Sequence, residues 1–264
     1  MVGTVVNDLL SPWLSTHFGS LVPFVVGSIL ASISLGATLF LVRRVEESGG
    51  YVSRPQSLVM SVKHLNSKFW LLGCVCATGY AAILPFTSIF VALRPANVSL
   101  IDASRSVSTV FLISALMSPI LGRVIDSQKL GKTVLTASCF LLCITHTTYA
   151  SFHHMWTMVL LGVAYAGFVA SVWPLIPEVV PAENVGLAYG IATALQNATL
   201  TVAPLLMAAI QSSSGSYFHT IWLFLGAALL ALFGSLTLSY VAGKRKTDSA
   251  SDDEETSKLN LNQE

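Results

Sequence analysis

The sequence predicts an all-helical membrane protein with seven spans, and three observations carry that prediction. Only 10% of the 264 residues are charged, against about 25% in soluble domains. The mean hydropathy is +0.70. Seven apolar runs, 20–42, 69–93, 106–122, 133–152, 155–177, 184–210 and 218–242, contain no Asp, Glu, Lys or Arg. Each is long enough, or nearly so, to cross a hydrocarbon core of about 30 Å as a helix. The same figures exclude a soluble enzyme and a disordered chain. A formal charge of +1 leaves no basic excess to attract a nucleic acid.

Membrane β-strands would show alternating segments of about ten residues. These runs are continuous and rich in Leu, Ala and Gly, so they read as helices, which satisfy their own backbone in lipid. Residues 1–19 show no basic start and no clear cleavage site, so they are not a signal peptide. They read as the end of a helix and a short loop, as if the chain began partway through a larger fold. The run 106–122 is the shortest and is expected to begin near Ala103. Residues 43–68 read as a loop and 243–264, with Asp252 to Glu255, as a flexible solvated tail.

Loop charge sets the expected orientation. Twelve of the fourteen Lys and Arg fall in 43–68, 123–132 and the tail; Arg94 and Arg105 lie on the other side. The positive-inside rule then places the tail in the cytosol. Asn97 heads a weak glycosylation sequon on the opposite face; Asn197 heads another inside a run, where no glycan can be added. No metal or cofactor site is expected, because all four cysteines (Cys74, Cys76, Cys139 and Cys143) lie in apolar runs as small buried residues.

Candidate functional residues come from helical phase. On 184–210, Gly186, Gly190, Thr193 and Asn197 fall within an arc of roughly 60°. Small residues and an amide on one face suit a close helix contact with an interhelical hydrogen bond. They equally suit a cavity-lining amide that binds a substrate backbone, and Gln196, about 100° away, is a second candidate. On 155–177, Gly162, Ala166, Val169 and Trp173 share a face. Trp13, Trp70, Trp156 and Trp222 sit near run ends, the interfacial belt position. Trp173 is deeper and precedes Pro174 and Pro177, which free backbone carbonyls. It reads as a cavity wall or as core packing. Tyr80, five residues before Pro85, needs a partner or water for its phenol; Tyr165 and Tyr189 are lesser candidates. His146 reads as a satisfied packing residue or a pH switch, Arg105 as a snorkelling cation or a carboxylate anchor, and Glu178 and Glu183 as solvated helix-end charges.

Gly122, Arg123, Asp126, Gly131 and Lys132 sit between two runs and resemble the signature turn of the major facilitator superfamily, with Gly131 about two residues later than usual. An ordinary positive-inside loop would look similar. Trp173-Pro174-Leu175-Ile176-Pro177, Pro181, Gly186 to Gly190, Gln196-Asn197, Cys74-Val75-Cys76, Tyr80, Pro85-Phe86 and Met117-Ser118-Pro119 extend the resemblance, to the C-terminal half of the lysosomal dipeptide carriers of that superfamily. It covers residues 4–242. It implies a six-helix C-terminal bundle over 69–242, with residues 1–42 a remnant of the N-terminal bundle: part of the fifth helix and the sixth. It implies a uniporter of small peptides that works by alternating access in the lysosomal membrane. Trp173, Asn197, Gln196 and Tyr80 would then bind substrate, and the 122–132 turn would bias conformers. Implied partners are the bilayer, a glycosylated lysosomal membrane protein and a second copy of the chain. A carrier of an organic anion or sugar, or a truncated product that does not transport, fits the same residues.

Overall fold

The computed structural model describes residues 10, 13–47, 62, 65–91, 93, 98–152, 156–216 and 219–261, without the side chains of 46, 100, 101 and 242–261. Every regular element among them is helical. Two compact units divide at Val62. The first holds a helical turn over 13–18 and α1 (Val22–Glu47), joined where Gly19 takes φ +98°, a conformation that costs a glycine little.

The second unit contains α2 (Ser67–Phe90), α3 (Leu100–Gln128), α4 (Gly131–Phe152), α5 (Thr157–Val172), the single turn α6 (Ile176–Val179), a tight turn over Ala182–Asn184, α7 (Val185–Ser214) and α8 (Thr220–Leu261). Six helices are long and apolar enough to cross a membrane: Val22–Val45, Ser67–Phe90, Asp102–Gln128, Gly131–Phe152, Ala182–Ser214 and Thr220–Val241. The chain is therefore a multi-pass membrane protein. The run 155–177 differs from expectation. α5 has 16 residues, about 24 Å at 1.5 Å per residue, and stops where Pro174 and Pro177 deny it donors.

The run 106–122 is the shortest uncharged run, with its helix expected to begin near Ala103; α3 begins at Leu100 and has 29 residues. Ser99 caps its N-terminus, accepting from the Asp102 N–H at 3.1 Å. Ser106 and Thr109 each donate back to the carbonyl four residues earlier at 2.9 Å. Such bonds hide hydroxyls from lipid; the helix outruns the uncharged run by carrying the exposed Arg105 and Arg123 that bounded it. The 122–132 turn also differs. Gly122, Arg123 and Asp126 lie on α3 itself, and Lys129, not a glycine, takes the left-handed position (φ 53°). Gly131 starts α4, where an added Cβ would stand 3.3 Å from Leu175 Cδ2; its role is close packing.

α2 is central in the second unit, packed on α5, α7 and α8, while α5 also packs on α3 and α4, and α4 on α8. Glycines set these approaches: Gly79 faces the Phe168 ring, and Gly162 faces α3. Asn66 caps α2 through Phe69 N–H (2.9 Å) and donates to the Val179 carbonyl (2.7 Å). That bond ties the start of α2 to the end of α6. Toward the other end of α2, Phe86 meets Phe90, Tyr149 and Phe224 edge to face.

His146 lies among these rings, fully buried, 4.8 Å from Phe86 and 5.9 Å from Phe224 between centroids. It was expected to be a satisfied packing residue. Among the described residues neither of its nitrogens makes a hydrogen bond of ordinary geometry; the Ala82 backbone is a polar group within its reach. An unmade buried bond costs about 1–3 kcal/mol. His146→Leu is therefore expected to stabilise the chain by about 1 kcal/mol, read as a higher melting temperature in detergent. A lower one would show that the imidazole is paired.

Candidate functional site

Six aromatic side chains from four helices form one chain of contacts inside the second unit. Tyr80 of α2 stands at its centre, 4% exposed. Its ring meets Phe168 at 5.4 Å and Tyr165 at 6.4 Å, both edge to face, and Trp173 at 6.3 Å. Tyr165 continues to Phe111 of α3 at 6.3 Å. Trp173 stacks on Tyr189 of α7 at 6.1 Å, 13° from parallel. Two hydrogen bonds lace the group. Trp173 Nε1–H donates to the Tyr80 oxygen at 2.9 Å, and the Tyr189 hydroxyl donates to the Trp173 carbonyl at 3.2 Å.

The local sequence explains the arrangement. Gly79 leaves room for the Phe168 ring, which an added Cβ would strike, and so places Tyr80 beside α5. Trp173 caps α5 in helical conformation (φ −70°, ψ −46°) and is half-buried. Trp13, Trp70, Trp156 and Trp222 are 40–57% exposed, as belt residues are. The cluster combines flat apolar faces with an indole donor and phenol groups and contains no formal charge. Tyr80 accepts from the indole, which leaves its own proton to donate elsewhere.

Tyr80 and Trp173 are thus in direct contact. Gln196 and Asn197 are not part of that contact group; neither side-chain amide makes a hydrogen bond among the described residues. Seven residues on from Tyr189, Gln196 returns to within about 20° of its face and is half-buried. Asn197 is about 80° away and exposed. Its neighbours on the arc, Gly186 and Gly190, meet nothing within 4 Å. The expected interhelical bond of Asn197 is therefore not made among the described residues.

Arg123 and Asp126 are exposed and Lys132 half-buried. Arg105 pairs with Asp102 at 3.8 Å on the surface, an ion pair of small energy. Cys74, expected to be buried, is exposed, whereas Cys76, Cys139 and Cys143 are buried. Asn97 lies outside the described residues. A cleft of about 280 Å³ opens between α2, α7 and α8, with Ala81, Ala198, Val202, Leu206 and Phe224 on its walls. Its hydroxyl, on Thr199, donates to the Leu195 carbonyl at 2.9 Å, so the proton it could offer a solute is already committed.

Comparison with known proteins fits this architecture. The family model described as Major Facilitator Superfamily matches residues 69–263. The chain belongs to the Major Facilitator Superfamily. Among relatives in that superfamily, it is 28% identical over 266 residues to the Lysosomal dipeptide transporter MFSD1 of Gallus gallus, covering 91% of this chain and 59% of that protein. With the protein of that name from Bos taurus the identity is 29%, over 91% of this chain and 55% of the relative. With that from Homo sapiens it is 26%, over 92% and 56%. The chain thus spans between half and two thirds of the length of these relatives.

Phe111 and Phe168 were not singled out from sequence. Phe168 follows Tyr165 by three residues, so the two share a helix face. That spacing is a signal, but it does not reveal that Gly79 of another helix receives the ring.

Proposed function

We propose that the chain forms one wall of the passage in a facilitative carrier of small peptides, a lysosomal dipeptide uniporter that works by alternating access. The observation that carries this reading is the laced group Tyr80–Trp173–Tyr189, drawn from three helices. A carrier of dipeptides must hold a constant backbone while side chains vary. Neutral donors beside flat apolar walls suit that task. Tyr80 O–H and Gln196 are assigned to peptide carbonyls, Trp173 to a side-chain wall, and Asn197 to the rim of the same passage. The seven runs carry no Asp or Glu, which suits downhill movement. The names of the relatives support the solute class.

The excess of Lys and Arg on one side supports a cytosolic tail. In the same reading Gly122, Arg123, Asp126, Gly131 and Lys132 form the gating segment, with exposed charges free to pair in one conformer. A lysosomal membrane glycoprotein and a second copy of the chain are proposed partners, tested by co-purification from lysosomal membranes.

Uptake of radiolabelled dipeptide into proteoliposomes, against an organic anion and a sugar, tests the solute. Saturable uptake of either alternative without dipeptide uptake overturns the assignment. Within the site, Gln196→Ala is expected to weaken dipeptide affinity roughly fivefold, the loss of one hydrogen bond. Asn197→Ala is expected to change it less than about twofold, being turned off the Tyr189 face. Competition binding in detergent reads both, and the reverse order would move the site to the Asn197 face.

A further inference from the structure

Pro177 leaves the carbonyl of Trp173 without its ordinary helical donor, because the N–H four residues on does not exist. Two groups take its place. Ile176 N–H comes to 3.2 Å in a tighter turn. The Tyr189 hydroxyl comes to 3.2 Å from α7. The same tyrosine lays its ring over the indole, centroids 6.1 Å apart, while the indole nitrogen donates to Tyr80 at 2.9 Å. Trp173 is thus held at its carbonyl, its ring face and its ring nitrogen by two other helices.

The geometry points to Tyr189 as the positioning residue of the site: it sets the plane of the Trp173 indole and so the shape of the wall offered to solute. The inference rests on the reading of Trp173 as a substrate-contacting residue. Any buried phenol needs a partner, as Tyr149 finds one in the Leu93 carbonyl; what distinguishes Tyr189 is the acceptor it takes. Tyr189 gives its proton to a carbonyl of another element that a proline there has released. On its own helix, Gly186 precedes it by three residues and Gly190 follows it, and neither would meet anything within 4 Å on gaining a Cβ. Its half-buried ring stacks on Trp173. A shift of α7 against α5 is read directly as a tilt of the indole.

The test uses the full chain in lipid nanodiscs with Trp13, Trp70, Trp156 and Trp222 replaced by Phe, so that Trp173 is the remaining indole. Two quantities are measured: Trp173 emission with acrylamide quenching, and equilibrium binding of leucyl-alanine. Tyr189→Phe keeps the ring and loses the hydroxyl; leucyl-alanine binding should weaken roughly fivefold. Adding Pro177→Ala to it returns a backbone donor, and binding should recover to within about twofold of the parent. Tyr189→Leu should shift the emission to the red and raise quenching. Unchanged emission and quenching in Tyr189→Leu would overturn the positioning role, whatever happens to binding. A shifted emission with no change in leucyl-alanine binding would uphold the positioning role and overturn the contact reading of Trp173. If the parent binds no leucyl-alanine, the peptide reading fails, while the emission still decides for or against Tyr189.

Discussion

Trp173→Ala should reduce saturable dipeptide uptake more than tenfold, the largest functional loss expected from any single change in this chain. The substitution removes a stacked ring, and it removes the donor to Tyr80 (2.9 Å). Truncating a half-buried Trp at a contact centre commonly costs 2 kcal/mol or more, roughly thirtyfold. Trp173→Phe keeps a flat wall and loses the N–H, so its loss should fall near fivefold. Trp222→Ala is the control, since that ring is 57% exposed and belongs to the belt. Uptake kinetics in proteoliposomes, corrected for the amount of folded carrier, distinguish the three. If Trp173→Ala and Trp222→Ala behave alike, the aromatic group is packing and the passage lies elsewhere.

Gly162→Val should destabilise the chain by about 3 kcal/mol, the upper end of ordinary overpacking. A Cβ there would stand 3.0 Å from the Val110 carbonyl oxygen and 3.0 Å from Ile113 Cβ. One of those atoms is backbone and the other is a branch point, so neither swings aside, and α3 and α5 must separate along their whole contact. Gly190→Ala makes the opposite case. Nothing lies within 4 Å, and replacing a helical glycine gains about 1 kcal/mol of propensity. Thermal unfolding followed by size-exclusion profiles gives both signs. A Gly162→Val variant as stable as the parent would mean that α3 and α5 are not in close contact.

The helices were legible because lipid leaves the chain one way to satisfy its backbone, so uncharged runs alone locate them. Their limits were less so. α3 outran its uncharged letters because the helix carries Arg105 and Arg123, the charges that bounded the run, as exposed residues. α5 fell short because two prolines act together where either alone could be absorbed. At the site, Tyr80 and Trp173 could be singled out as polar aromatics deep in runs beside prolines. Their hydrogen bond could not, since it depends on Gly79 receiving Phe168 from a helix 89 residues away. Tyr189 looked minor because its importance comes from a carbonyl released by Pro177. His146 looked satisfied because letters do not show that its neighbours are phenyl rings.

The habit of serines and threonines here, to bond the carbonyl of their own preceding turn, recurs at Ser28, Ser32, Thr78, Thr145, Thr193 and Thr201. Side chains satisfied in this way make no claim on an adjacent rod. Rods that meet through shape and dispersion can shear past one another by an ångström or two without uncovering an unpaired dipole in oil. The laced aromatics, like the Asn66 bond to the Val179 carbonyl, are contrasting points, latches of directional bonds between rods.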